Sequence, residues 1–126
     1  MSEPPGAFPT PMIPLRFDCV FYYVTDLDRA LAFYTGLLGL ILVSRDAVAR
    51  LTLDGVLIEL VPTADSTLVG GSGNARLTFA VDDIHATCTA LTSQGVAVRS
   101  VKRVSNGYLA QSQDPDGNEF LLWQYS

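Results

Sequence analysis

The sequence predicts an α+β fold made of two βαβββ repeats, and three observations predict it. Asp54-Gly55-Val56-Leu57-Ile58-Glu59-Leu60-Val61 aligns with Asp116-Gly117-Asn118-Glu119-Phe120-Leu121-Leu122-Trp123 at an offset of 62 residues. Val24-Thr25-Asp26-Leu27 returns as Val81-Asp82-Asp83-Ile84 at an offset of 57. In each half the hydrophobic pattern passes from alternation to helical spacing and back to alternation. The difference of five residues between the two offsets implies a longer loop in the second half, placed at Lys102–Gly107. One such unit buries too little surface to stand alone. The two repeats are therefore expected to pack into one curved mixed sheet, with helices outside and a cleft on the concave side.

Each element has its own justification. Residues 1–14 carry five prolines, Pro4, Pro5, Pro9, Pro11 and Pro14. Proline at this density removes the N–H groups that helices and ladders need, so the stretch reads as an N-terminal arm, either solvated or lying across a partner subunit. Residues 15–126 form the domain. Leu15–Val24 reads as the first strand, with Phe17, Cys19, Phe21 and Tyr23 on one face and Asp18, Val20, Tyr22 and Val24 on the other. Both faces are largely apolar, so a strand covered on both sides is expected. Thr25 or Asp26 caps the next helix, whose apolar stripe runs through Leu27, Leu31, Tyr34 and Leu38, and Gly36 or Gly39 ends it. Leu40–Arg45, Ala47–Leu53 and Gly55–Val61 read as strands, and Pro62 closes the first repeat, 15–62.

Thr63–Asn74 is polar and glycine-rich, and no Walker lysine follows, which favours a plain linker over a phosphate cradle. The second repeat, 75–126, opens with a strand over Ala75–Val81. Asp82 is the expected cap of a helix that buries Ile84, Cys88 and Leu91 and ends at Gly95. Val96–Val101, Tyr108–Ser112 and Asn118–Tyr125 supply the remaining strands. Asp114-Pro115-Asp116-Gly117 is a tight turn, in which Pro115 presets φ for the corner and Gly117 can take φ > 0.

Composition bounds the function. The 126 residues are 48% hydrophobic and 17% charged, which describes a core-forming chain. No apolar run is long enough to span a bilayer, and the N-terminus has neither the basic start nor the apolar stretch of a secretory signal. Two cysteines, Cys19 and Cys88, make no disulfide scaffold, so a reducing cytoplasm is the expected location. A net charge of −5 with no basic cluster argues against nucleic acid as a partner. Histidine occurs once, at His85.

The ordered set of motifs resembles the vicinal oxygen chelate superfamily, which includes glyoxalases, bleomycin-type resistance proteins and extradiol dioxygenases. The blocks are Val24-Thr25-Asp26-Leu27, Ala32-Phe33-Tyr34, Leu38-Gly39-Leu40, Phe79-Ala80-Val81-Asp82-Asp83-Ile84 and Asp114-Pro115-Asp116-Gly117-Asn118, and they span roughly Phe17 to Gln124. The resemblance implies the glyoxalase/bleomycin resistance fold and a homodimer. It also implies four ligand positions facing the cleft, which fall here on Cys19, Glu59, Arg76 and Leu121. The internal repeat relates them in pairs, Cys19 to Arg76 and Glu59 to Leu121. As donors they are poor. Glu59 is a good hard ligand. Cys19 binds only as thiolate, Arg76 offers donors alone, and Leu121 has no donor atom. A catalytic zinc site wants three protein ligands and an iron facial triad wants two histidines, so no metal or other cofactor is expected, a divalent metal being the alternative. His85 falls outside this strand set, in the first turn of the second helix, and is expected to be exposed.

What replaces the metal is then the question. A carboxylate flanked by Ile58 and Leu60 needs a cation or a proton, and Arg76 is the proposed partner of Glu59; otherwise both point to solvent. Phe21, Tyr23, Leu57, Thr78 and Trp123 share parity with the four positions and would line a mostly apolar pocket, or else pack as ordinary core. Cys19 has no histidine base in view and is read as structural rather than nucleophilic.

Three readings of function follow. The favoured one is a metal-independent binding protein that sequesters an aromatic or cationic ligand, an antibiotic or a metabolite. The second is a lyase, isomerase or dioxygenase with an atypical site and Glu59 as candidate base, and the sequence leans against it. The third is an interaction module without a ligand. No membrane partner is expected.

Overall fold

The computed structural model describes residues 18–71 and 77–126. The N-terminal arm, the start of the first strand, the end of the linker and Arg76 lie outside the described residues. The first half contains β1 (Val20–Val24), α1 (Leu27–Leu31) running on as a π-helix (Ala32–Leu37), β2 (Ile41–Arg45), β3 (Ala49–Leu53) and β4 (Val56–Pro62). The second half contains β5 (Leu77–Ala80), α2 (Ile84–Ser93), β6 (Lys102–Val104), β7 (Gly107–Gln113) and β8 (Glu119–Tyr125).

The ladders form two four-stranded mixed sheets, in the orders β1-β4-β3-β2 and β5-β8-β7-β6. In each, the first strand of the half pairs in parallel with the last, and the remaining pairs are antiparallel. This is one βαβββ plan used twice, as the internal repeat requires. One face of each sheet packs under the helices. Leu51, Ile58 and Leu60 from the first sheet and Phe120 from the second are fully buried there, together with Val24, Tyr34 and Ile84.

Local chemistry explains the element ends. Asp26 caps α1 by accepting from Arg29 N–H at 3.0 Å. Asp83, not Asp82, caps α2, accepting from Ala86 N–H at 3.0 Å. A capping side chain bonds the amide two or three residues on, and Asp83 stands three before Ala86 whereas Asp82 stands four. Gly39 and Gly95, both at φ +80, turn the chain out of the two helices. After Gly95, Val96 N–H donates to Leu91 O at 3.0 Å and closes α2 in a Schellman motif.

The halves are joined at the turn before β8. The Asp114 carboxylate is 3% exposed. It accepts from Asp116 N–H and Asn118 N–H at 2.9 Å, from Asn118 Nδ2 at 2.8 Å and from the Tyr34 hydroxyl at 2.8 Å. Asn118 Nδ2 also donates to Tyr23 O at 2.9 Å, and Asn118 Oδ1 accepts from Gly70 N–H at 2.9 Å. The turn thus binds the first half and the connector at once. Gly117 takes φ +82, as the turn chemistry demands.

Several expectations are corrected. Val96–Val101 is not a strand: it contributes an isolated bridge, Val98 to Ser112, and an Arg99 N–H bond to Gln111 O at 2.8 Å. Its first amide is consumed in closing α2. The strand instead lies at Lys102–Val104, inside the stretch expected to be a loop, because Ser105-Asn106 makes a two-residue turn that pairs Val104 with Gly107. Gly39 stands two residues before Ile41 and Gly95 seven before Lys102, so the five extra residues of the second half lie after the helix. β1 is covered on one side only, since Phe21 is 49% exposed while Val24 is buried. The connector is more than a tether: Ser66–Leu68 forms a 3₁₀ turn capped by Asp65, and Gly71 N–H donates to Gly117 O at 3.1 Å.

Candidate functional site

The face of each sheet turned away from the helices carries the candidate residues. The tight turn Asp54-Gly55 sets the register of the first sheet. Asp54 at φ 50 and Gly55 at φ 80 both occupy the left-handed region, the geometry of a two-residue hairpin turn. It closes the pair Leu53–Val56, and counting back places Arg50 opposite Glu59. Directly opposed residues share a face. Arg50 Nε meets Glu59 Oε2 at 3.2 Å, and the Glu59 side chain is 19% exposed. Arg50 Nη1 also lies 3.5 Å from Ser44 Oγ and 3.5 Å from Asp46 Oδ2. One guanidinium therefore stands between two carboxylates.

The other Glu59 oxygen, Oε1, accepts from the Cys19 thiol at 3.4 Å. Burial, the hydrogen bond to Glu59 and the Glu59 charge together push the Cys19 thiol up to about 11. Each favours the neutral thiol over thiolate. At neutral pH Cys19 stays a thiol that donates to Glu59. The expected partner of Glu59, Arg76, lies outside the described residues. Among the described residues, the guanidinium that meets Glu59 is Arg50, which the parity argument passed over because it considered only β1, β4, β5 and β8.

Around this polar group the face is aromatic and aliphatic. Phe21, beside Glu59 in the ladder, packs edge-on against Tyr23 with ring centroids 5.4 Å apart. Leu57 and Val61 flank Glu59 on the same side of β4. In the second sheet Thr78 pairs with Leu121 and Ala80 with Trp123. Trp123 packs edge-on against Tyr125 at 5.6 Å. Its indole also lies over Gly107, where an added Cβ would overlap both the ring and the Gln124 carbonyl oxygen. Each described candidate thus lies on the open face of its sheet, Cys19, Phe21, Tyr23, Leu57 and Glu59 in the first and Thr78, Leu121 and Trp123 in the second. Cys19 with Glu59 and Phe21 with Tyr23 are in direct contact.

The described positions fall short of a catalytic metal set: Leu121 has no donor atom, so they supply at most Glu59 and Cys19, where a catalytic zinc wants three protein ligands. Among the described residues, no three of His, Cys, Asp and Glu cluster as a ligand set. His85 is exposed on the helical side, with its ring 6.1 Å from that of Tyr108. Cys88 packs against the core, and burial raises its thiol pKa. The arrangement suits binding, with flat apolar faces for stacking and a carboxylate–guanidinium pair for orientation. No helix among the described residues is long and apolar enough to cross a membrane.

Residues 16–122 match the sequence profile of the Glyoxalase/Bleomycin resistance protein/Dioxygenase superfamily. No functionally curated protein matches significantly. Among solved structures, TnmS3, an antibiotic binding protein from Streptomyces sp. CB03234, is similar at 26% identity and a TM-score of 0.70, over 90% of this chain and 100% of that one. A glyoxalase/bleomycin resistance protein from the same organism is similar at 27% identity and a TM-score of 0.62, over 85% of this chain and 100% of that one. Lactoylglutathione lyase from Agrobacterium tumefaciens shares the fold at 23% identity and a TM-score of 0.68, over 88% of this chain and 94% of that one.

Proposed function

The chain belongs to the glyoxalase/bleomycin resistance protein/dioxygenase superfamily, and from that premise we propose that it binds and sequesters a small aromatic or cationic molecule without a metal. The observation that carries this reading is the donor set: the described positions that would hold an ion present a thiol donating to Glu59, a carboxylate paired with Arg50, and a leucine, and the fourth position is an arginine by sequence. A binding protein keeps the shaped face and loses the need for a Lewis acid. The ligand's ring system would stack on Trp123 and Phe21, with its positive group against Glu59 and Asp46. The net charge of −5 suits a cation. The antibiotic-binding relative supports the same class of role.

The protein would act as a homodimer. Phe21 is 49% and Tyr125 72% exposed on the open faces of the single chain, and apolar surface of that kind is ordinarily covered. No cofactor enters the proposed binding.

Trp123 is the sole tryptophan, so its fluorescence reports on the face directly. A panel of planar aromatic cations, led by 9-aminoacridine, is titrated into EDTA-treated protein. Saturable quenching is expected, weakened about tenfold or more by Glu59→Gln, a loss of roughly 1.4 kcal/mol. Absence of binding across the panel, with turnover of a substrate that requires Glu59, would assign the site to catalysis instead.

A further inference from the structure

We infer that the protein carries a second ligand site on its helical side, for an uncharged apolar molecule of roughly ten non-hydrogen atoms. An open groove of about 340 Å³ is lined by residues of both halves. Its walls come from Leu40 and Leu53 of the first half and from Phe79, Leu91 and Leu122 of the second. Thr87 is the one polar side chain in the lining, and its hydroxyl already donates to the Asp83 carbonyl at 2.9 Å. No titratable side chain lines it.

Three physical points turn this space into a site. The space is a groove open on one side, with Leu40, Leu91 and Leu122 buried at its floor and Leu37, Ala80 and Ala90 exposed at its rim. Water on the floor of the groove gains little, because the one side-chain hydroxyl in the lining, Thr87, is already engaged with the Asp83 carbonyl. A dry apolar cavity of about 150 Å³ is already enough to take up benzene. The present volume is about twice that, which sets the ligand's size as an alkylbenzene, a bicyclic aromatic or a branched alkyl group.

The backbone makes an independent contribution. Residues Ala32–Leu37 form a π-helix, a wide turn that is rare and concentrates at functional positions. A wider turn rotates its last residue and the one after it, Leu37 and Leu38, and both line the groove. Leu37 and Ala90 are exposed and mark the entrance between the π-helix and α2. Phe79 and Leu122 point to this side of β5 and β8, whereas Thr78, Leu121 and Trp123 point to the other, so the site stands apart from the proposed binding face and does not depend on it.

The test uses n-butylbenzene on the full chain. Ala90→Leu fills the entrance from an exposed helical position and keeps helix propensity, and circular dichroism checks that it is folded. With ligand at tenfold its Kd, the wild-type Tm should rise by about 5 °C, as linkage predicts for a domain of this size. The rise should persist in Glu59→Gln and Trp123→Ala and vanish in Ala90→Leu. No rise in the wild type, or a rise retained in folded Ala90→Leu, overturns the proposal. A rise lost in Trp123→Ala and kept in Ala90→Leu overturns it too, by placing the probe on the strand face.

Discussion

Glu59 holds a guanidinium on one oxygen and a thiol on the other, and this decides how Cys19 behaves. A group whose folded pKa is raised stabilises the fold below its unfolded pKa and loses that contribution as pH climbs through the folded value. For Cys19 the loss falls between the ordinary thiol value of 9.0 and about 11. Iodoacetamide should label Cys19 slowly at pH 8, with the rate rising steeply only toward pH 11, read by mass spectrometry of the labelled peptide. Glu59→Gln removes the charge and should move that midpoint downward. A Cys19 that labels at pH 8 like a free thiol contradicts the geometry. Arg50 was within reach of the sequence: Asp54-Gly55 is a strong two-residue turn, and a two-residue turn implies the cross-strand partner of every residue behind it. Arg76 remains a sequence expectation.

Two glycines show how the elements are held, each for a different reason. Gly95 ends α2 at φ +80 with nothing near its missing Cβ. Gly95→Ala should therefore cost only the conformational penalty, about 1 kcal/mol in urea denaturation. Gly107 has an ordinary φ but no room, because a Cβ there meets the Gln124 carbonyl oxygen and the Trp123 ring. Gly107→Ala should cost roughly 1–3 kcal/mol through overpacking, and it should shift Trp123 emission, which Gly95→Ala should leave alone. The same region shows where the sequence was misread. Val96 and Val98 alternate like the start of a strand, whereas the turn that places β6 at Lys102–Val104 is Ser105-Asn106. The extra five residues were visible as a change of offset, whereas their position depended on which turn closed first.

Across the whole molecule, the repeat made the architecture legible, since two copies of one pattern at nearly constant offset leave few topologies open. The contacts joining the copies were not legible in the same way. Tyr34 and Asp114 stand 80 residues apart, and no local pattern links a helical tyrosine to the first residue of a distant turn. Tyr34→Phe should leave Asp114 Oδ2 to Asn118 alone and cost about 1–2 kcal/mol, with unfolding still a single transition because one core serves both halves. Face assignment, by contrast, follows from strand alternation, which is why the described candidates share one face of their own sheet while Arg50 went unforeseen. The central claim is binding without an ion. Isothermal titration of 9-aminoacridine, or of whichever cation in the panel binds, into EDTA-treated protein and into protein preloaded with zinc, manganese or iron tests it most directly. Equal affinity in every preparation is the predicted result; affinity that appears only after one metal binds stoichiometrically, and that Glu59→Gln abolishes together with the metal, would contradict it.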